Sequence, residues 1–93
     1  MIKSFSCKET EKIFEGVRSK KLPLDIQKIA RRKLVFMNEA LSLSDISSVP
    51  ANRLEKLKGD RKGQYSIRIN NQWRICFDWD KNELNHVEII DYH

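Results

Sequence analysis

The sequence contains few of the residues that build disulfide frameworks, metal sites or membrane spans. Its two cysteines, Cys7 and Cys76, lie far apart and show no CxxC or Cys/His spacing, so no metal or other cofactor is expected and both thiols are predicted to be reduced and mostly buried. Residues 1–6 lack the apolar core of a signal peptide, and no apolar run approaches the roughly 20 residues that cross a bilayer. These features predict a soluble, cytoplasmic protein without a membrane partner.

The motifs of several common enzyme classes are also missing. The sequence contains no P-loop, GxGxxG, HExxH or GxSxG motif and no paired carboxylates. It therefore gives no support to a nucleotide-cofactor enzyme, a zinc protease or a serine hydrolase.

Basic residues are in excess and unevenly distributed. Lysine and arginine number 18 against 13 acidic residues, a net charge of +5, which favours a polyanionic partner but also occurs in proteins that bind no nucleic acid. One short stretch holds a third of these cations, namely Lys56, Lys58, Arg61, Lys62, Arg68 and Arg74.

The first half of the chain has helical patterns. Ser6 and Glu9 match a capping box and predict that a helix begins there, and Pro23 suits the first turn of a second helix. Apolar residues then recur at helical spacing, at Ile26, Ala30, Leu34, Met37 and Leu41. The basic residues between them are read as the solvated face of that helix, which is typical of an amphipathic helix, and they are Lys28, Arg31, Arg32 and Lys33.

The second half has strand patterns. Residues 53–58 predict an edge strand, residues 65–79 a hairpin and residues 84–90 a last strand, while residues 2–5 are a short strand candidate and residues 42–52 a transition. We therefore expect one α+β domain over residues 1–93, with two N-terminal helices packed on a curved, mainly antiparallel sheet.

The hairpin pattern also predicts its register. Odd-numbered residues are apolar on both arms, so they should share one buried face. A three-residue loop of Asn70, Asn71 and Gln72 satisfies this, with asparagine in a left-handed conformation. In that register Arg68 lies opposite Arg74, and like charges directly opposite each other destabilise a strand pair.

Two interpretations of the arginine pair are open. The guanidiniums can hold a phosphate between them, or each can pair with a carboxylate such as Asp78 or Glu88 and keep the outer face soluble. The cationic turn at residues 58–63 also has two interpretations. It can bind a backbone phosphate, or it can be an ordinary exposed turn.

The chain ends in Asp91, Tyr92 and His93. Histidine transfers protons near neutral pH and tyrosine can stack on an RNA base, although chain ends commonly fray. His86, within the last strand, is interpreted as structural or exposed.

Taken together, these residues resemble the HigB toxins, the plasmid-maintenance killer branch of the RelE/ParE superfamily. The similar segments are residues 1–5, 52–63, 65–70, 72–77 and 87–93. The resemblance implies a RelE-like fold and a ribosome-dependent endoribonuclease that cuts mRNA in the ribosomal A site. It also implies a HigA-type helix-turn-helix antitoxin, with operator DNA bound only through the toxin–antitoxin complex.

The resemblance also assigns the site. It implies an active-site surface formed by Lys58, Arg74, Asp91, Tyr92 and His93, and RNA or ribosome contacts from Lys56, Arg61, Lys62 and Arg68. Some relatives carry a histidine where this chain has Glu55 and Lys56, which places more weight on His93 for proton transfer. A DNA gyrase poison like ParE and a non-catalytic ribosome- or RNA-binding module are the alternative functions.

Overall fold

The computed structural model describes residues 1–92 and contains three α-helices and a four-stranded antiparallel sheet. The helices are α1 (Lys8–Phe14), α2 (Leu24–Glu39) and α3 (Leu43–Ser47), and the strands are β1 (Glu55–Lys56), β2 (Tyr65–Arg68), β3 (Trp73–Asp80) and β4 (Glu83–Asp91). The strands follow chain order across the sheet. The predicted α+β architecture is confirmed, with β1 as a shorter edge strand than expected.

The core lies between α2 and one face of the hairpin. Ile26, Ala30, Leu34 and Met37 are buried, as the helical spacing predicted. Leu41 was wrongly included in this set, because α2 ends at Glu39 and leaves the Leu41 side chain 79% exposed. Across from the helix, the odd-numbered hairpin residues form the predicted apolar face, in which Ile67, Ile75 and Phe77 are fully buried and Tyr65, Trp73 and Trp79 pack at the edges.

The capping-box prediction for α1 is wrong. The helix begins at Lys8, and its N-cap, Cys7, makes no side-chain capping bond. Glu9 instead accepts a hydrogen bond of 2.6 Å from the Ser19 hydroxyl, and this bond is the main cause of the lowered pKa of Glu9. Ser19 therefore uses the carboxylate that the sequence pattern had assigned to the helix start.

The segment after α2 contains a helix that the sequence pattern missed. The Ser42 hydroxyl accepts the Asp45 N–H and caps the five-residue α3. A 3-10 turn at Pro50–Asn52 follows and ends at Arg53, whose φ of 44° is left-handed. Residues 42–52 thus form a short helix and a 3-10 turn that lead the chain to the sheet edge.

The N-terminal segment joins the far edge of the sheet. Ile2 and Phe5 form parallel bridges with Leu84 and Val87 of β4, so the short strand candidate pairs as isolated bridges. The buried Thr10 hydroxyl of α1 accepts the Ile89 N–H at 3.0 Å. These contacts fix β4, whose last residues reach the candidate site.

Both cysteines are free thiols in the structure, as predicted, with Cys7 half-buried and Cys76 buried. Burial raises the pKa of the Cys76 thiol to about 11. Within residues 1–92, no helix is long and apolar enough to cross a membrane.

Candidate active site

The hairpin has the predicted register. Ile67 pairs with Ile75, and Arg68 pairs with Arg74. The loop differs in one respect, because none of its three residues has a positive φ. Instead, the Asn70 side-chain oxygen accepts the N–H groups of Gln72 and Trp73, each at 2.8 Å, and this asparagine turn closes the hairpin without a left-handed residue.

The even-numbered face of the sheet is not the solvated surface that alternation predicted. Ser66 and Cys76 are fully buried, and Arg74 is only 5% exposed. Backbone pairing places Glu55, Ser66, Cys76 and Glu88 in one row across the four strands. The even-numbered face is therefore polar but partly buried.

Arg74 is held by the backbone and side chains of two neighbouring segments. Its Nε donates to the Ser66 hydroxyl at 2.7 Å, and its Nη2 donates to the Arg53 carbonyl at 2.6 Å and to the Ser66 carbonyl at 3.2 Å. A buried charge is costly without such partners. These three bonds fix the guanidinium in one orientation.

Two further side chains flank this guanidinium. Glu55 Oε1 lies 3.4 Å from Arg74 Nη1, and the Glu55 side chain is 49% exposed. The ring of Tyr92 lies over the guanidinium, 5.4 Å from Cζ to the ring centroid, within the range of a cation–π interaction. Arg74 thus lies beneath two partly exposed side chains, Glu55 and Tyr92.

The carboxylates proposed as partners of the arginine pair bind other groups. Glu88 pairs with Arg61 at 3.2 Å, and Asp78 contacts the exposed His86 Nδ1 at 2.6 Å. Arg74 pairs with Glu55 instead, because β1 places this glutamate on the same face of the sheet. His86 is exposed, as interpreted from the sequence.

Arg68 has different surroundings from Arg74. It is half-buried and donates from Nη2 to the Asn71 side-chain oxygen. Burial, and then the positive charge of Arg68, lower the pKa of Lys33. Lys33 is not part of the solvated helix face as predicted, because it is half-buried and donates to Asn52 at 2.7 Å.

A groove of about 370 Å³ opens beside Tyr92 and β1. Its lining consists of Glu55, Lys56, Leu57, Lys58, Asp60, Arg61 and Tyr92. Arg61 is held at the groove by Glu88 and by Gln64, whose Oε1 accepts from Nη1 at 3.1 Å. Lys56 and Lys58 are exposed. The groove therefore presents three cations next to the Tyr92 ring.

The structure brings together most of the residues that the sequence assigned to the site. Lys56, Lys58, Arg61 and Tyr92 line the groove, and Arg74 lies beneath Tyr92. Lys62 is exposed in the adjacent turn. The Asp91 carboxylate accepts from the Gln72 side chain at 3.1 Å, so Asp91 anchors the end of β4 to the hairpin loop. His93 lies outside the described residues.

Two residues of this site escaped the sequence interpretation, Ser66 and Glu55. Ser66 occupies an even position between apolar neighbours, where alternation alone predicts solvent exposure. Glu55 could have been found from the edge-strand pairing, because a strand partner opposite Ser66 must share its face. Within residues 1–92, no group of three or more histidine, cysteine or acidic residues could hold a metal ion.

The sequence matches the model of one protein family across residues 3–93, described as the RelE-like toxin of type II toxin–antitoxin system HigB. It is 38% identical to Toxin HigB-1 of Vibrio cholerae over 80 residues, which cover 85% of this chain and 84% of that protein. It is 34% identical to Endoribonuclease HigB of Proteus vulgaris over 94 residues, which cover 100% of both chains.

Two solved structures have a similar fold. YafQ of Escherichia coli superposes with a TM-score of 0.57 at 13% identity, covering 98% of this chain and 91% of that one. The YoeB dimer of Staphylococcus aureus gives a TM-score of 0.56 at 25% identity, covering 99% and 94%. The RelE-like fold predicted from the sequence is confirmed.

Proposed function

The chain belongs to the HigB-like family of RelE-like toxins of type II toxin–antitoxin systems, and we propose that it is a ribosome-dependent endoribonuclease that cuts mRNA in the ribosomal A site. One observation carries this proposal most directly. A buried, immobilised guanidinium lies beneath an aromatic ring at the edge of a groove lined by cations. This arrangement suits an RNA phosphate with a base stacked beside it.

The relatives support the enzymatic part of the proposal. The Proteus vulgaris protein named Endoribonuclease HigB matches the whole of this chain. The chemistry of the groove agrees, because preorganised donors aimed at a phosphate stabilise the charge that develops during cleavage, often the largest contribution to such reactions.

The proposed reaction is attack of a ribose 2′-oxygen on the adjacent phosphorus. A P–O bond forms to the 2′-oxygen and the bond to the 5′-oxygen breaks, which leaves a 2′,3′-cyclic phosphate and a 5′-hydroxyl end. Arg74, with Lys58, stabilises the charge on the non-bridging oxygens. His93 is the proposed donor of the proton that the leaving 5′-oxygen takes up.

The other residues have positioning and binding roles in this proposal. Tyr92 stacks on or orients a base of the message, and Asp91 anchors the end of β4 to the hairpin loop through Gln72. Lys56, Arg61, Lys62 and Arg68 contact phosphates of the message or of ribosomal RNA. Arg61 and Arg68 are already bonded to Glu88 and Asn71, so we assign them lesser contacts than Lys58.

As a toxin of a type II system, the chain has an antitoxin partner. We propose that this antitoxin is of the HigA type, with a helix-turn-helix domain, and that the toxin meets operator DNA only through their complex. Co-purification with the product of the neighbouring reading frame, followed by operator binding with and without the toxin, tests this assignment.

Primer extension on mRNA bound to programmed ribosomes tests the proposed activity. Purified toxin should create new 5′ ends within the A-site codon, and the upstream fragment should carry a 2′,3′-cyclic phosphate. The same mRNA without ribosomes should stay intact.

Two other outcomes identify the alternative functions. Stalled ribosomes without new 5′ ends would indicate a non-catalytic binding module. Cleavage complexes of DNA gyrase, with an SOS response in cells, would indicate a gyrase poison.

A further inference from the structure

The backbone of Arg53 has a conformation that residues with a side chain rarely adopt. Its φ of 44° and ψ of 58° lie in the left-handed region, where a Cβ atom crowds the following carbonyl oxygen. Arg53 follows the 3-10 turn at Pro50–Asn52, and its N–H donates to the Pro50 carbonyl at 3.1 Å. Strained conformations of this kind persist where the surrounding structure enforces them, and they are frequent at functional sites.

The strained residue contacts the candidate site through its carbonyl. The Arg53 carbonyl accepts from Arg74 Nη2 at 2.6 Å. Because the peptide group is planar and the backbone turns only at φ and ψ, an extended conformation at Arg53 would point this carbonyl in another direction. The left-handed conformation is therefore what aims the acceptor at the buried guanidinium.

Asn52 holds the turn from the interior of the protein. It is only 2% exposed, and both ends of its side-chain amide are bonded. Nδ2 donates to the Ile46 carbonyl at 2.9 Å, and Oδ1 accepts from Lys33 Nζ at 2.7 Å. Since a buried amide is costly without such partners, these two bonds fix the peptide next to Arg53.

Lys33 connects the helical layer to this turn. It is half-buried on α2, and its only hydrogen bond within residues 1–92 is the one to Asn52. The helix packs against the odd-numbered face of the sheet, whereas Arg74 lies on the even-numbered face. The contacts from Lys33 through Asn52 to Arg53 therefore link the helical layer to the candidate site at the sheet edge.

We propose that the left-handed turn at Arg53, held by Asn52 and Lys33, positions the buried guanidinium for cleavage, an inference that rests on the proposed function. Lys33 and Asn52 hold the turn, and the carbonyl of the turn orients Arg74 toward the substrate phosphate. A displacement of about 1 Å in a group that takes part in the reaction can cost about 10²-fold in rate. The three residues act through Arg74 and need no contact with the RNA in this role.

Single-turnover cleavage on programmed ribosomes tests the role of Lys33. Lys33→Met keeps most of the apolar stem but removes the bond to Asn52. The rate at saturating toxin should fall by roughly 5- to 50-fold, less than the cost of a full displacement, while the half-saturating toxin concentration should stay the same. A raised half-saturating concentration with an unchanged rate would instead make Lys33 an RNA contact and overturn its positioning role.

Lys28→Met is the matched control. It is the same substitution on the same helix, at an exposed position. Both the rate and the half-saturating concentration should remain at wild-type values. Thermal unfolding of both variants sets a temperature at which each is fully folded, so that a lower rate does not report a loss of folded protein.

Two substitutions of Arg53 test the turn itself. Arg53→Gly and Arg53→Val both remove the exposed side chain, but they differ in backbone preference. Glycine adopts the left-handed region without steric cost, whereas β-branched valine resists it. Arg53→Val should cleave at least about tenfold more slowly than Arg53→Gly. Equal rates in the two variants would contradict a role for the turn conformation.

The NMR signal of the Arg74 Nε–H group gives a measurement that does not depend on activity. In wild type this group donates to the Ser66 hydroxyl at 2.7 Å, so it should exchange slowly with water. In Lys33→Met the signal should shift and exchange faster, because the guanidinium is less firmly held. In Lys28→Met it should be unchanged.

The outcomes for the two proposals differ. If wild-type toxin cleaves the message, and Lys33→Met either matches its rate at saturation or leaves the Arg74 signal unchanged, the positioning proposal fails while the endoribonuclease function stands. If wild-type toxin leaves ribosome-bound mRNA intact, the proposed function itself fails. The Arg74 signal then still decides whether the turn holds the guanidinium.

Discussion

The ring of Tyr92 lies over the guanidinium of Arg74, 5.4 Å from the ring centroid to Cζ. The two residues are 18 positions apart, and antiparallel pairing of β3 with β4, in which Trp73 pairs with Asp91, brings them together. The Tyr92 N–H also donates to the Gln72 carbonyl at 2.6 Å. A residue near the end of the sequence is thereby fixed above a buried charge.

Arg74→Lys should abolish most cleavage. Lysine keeps the positive charge but not the planar fork that binds Ser66 and Arg53, so the loss should be about 10²–10³-fold in single-turnover rate. Arg68→Lys is the control, because Arg68 donates only to the exposed loop residue Asn71 among the hydrogen bonds described, and it should cost no more than a few-fold. Equal losses in both variants would contradict the distinct role of Arg74.

Tyr92→Phe should cleave at nearly the wild-type rate, whereas Tyr92→Ala should be strongly impaired. Phenylalanine retains the ring that lies over Arg74 and that can stack on a base, a stacking interaction worth about 1–3 kcal/mol per base. Primer extension with a time course measures both rates. An equally severe loss in Tyr92→Phe would instead assign the phenolic hydroxyl to the chemistry.

Lys58→Met should weaken binding or cleavage of ribosome-bound mRNA without destabilising the protein. Its side chain is exposed in the groove, and a surface charge that meets RNA phosphates acts with a strength that depends on salt. Lys20→Met, at another exposed position, is the control. The difference between the two variants should shrink as salt concentration rises, and no difference at low salt would remove Lys58 from the site.

Ser66→Ala should destabilise the fold by about 1–3 kcal/mol, because it leaves the buried Arg74 Nε without its hydroxyl acceptor. Ser66 is fully buried, and its hydroxyl is 2.7 Å from that nitrogen. Urea unfolding measures the loss. Ser47→Ala, at an exposed position, should leave the free energy of unfolding close to that of wild type.

Stability should fall at high pH through Cys76. Burial raises the pKa of this thiol from an ordinary value of 9.0 to about 11, so above pH 9 the unfolded chain loses the proton while the folded protein keeps it. The unfolded state then binds fewer protons, and the free energy of unfolding decreases as pH rises from 9 to 11.

Cys76→Ala isolates this effect from other groups that titrate in the same range. The penalty of the variant relative to wild type, measured by urea unfolding, should become smaller between pH 8.5 and 10.5. A penalty that does not change with pH would show that the thiol ionises equally in both states.

Local patterns predicted much of this fold. The spacing of Ile26, Ala30, Leu34 and Met37 identified α2 and its buried face, since an amphipathic helix buries one stripe. Alternation in the hairpin gave both its apolar face and its register, because a shift by one residue would reverse every side chain. The short helix α3 was missed, because five residues contain too little periodicity to be recognised.

The sequence predicted many of the residues of the candidate site but not the contacts between them. The sequence placed Lys58, Arg74 and Tyr92 in one surface through a family resemblance. It assigned Glu9 to a helix cap, which was wrong, and it left open whether Arg74 binds a phosphate or pairs with Asp78 or Glu88. In each case a side chain distant in the sequence, Ser19 for Glu9 and Glu55 for Arg74, binds the group instead.

The sequence by itself determined the long helix α2 and the hairpin with its pairing of Arg68 and Arg74, since these follow from the 3.6- and 2-residue periods of the backbone. Only the tertiary structure decided which arginine is buried. The partners of Arg74 lie 8 to 21 positions away, at Ser66, Tyr92, Glu55 and Arg53. These residues come together because β1 and β4 pair with opposite edges of the hairpin. The periodicity of a single helix or strand does not predict such contacts between separate segments.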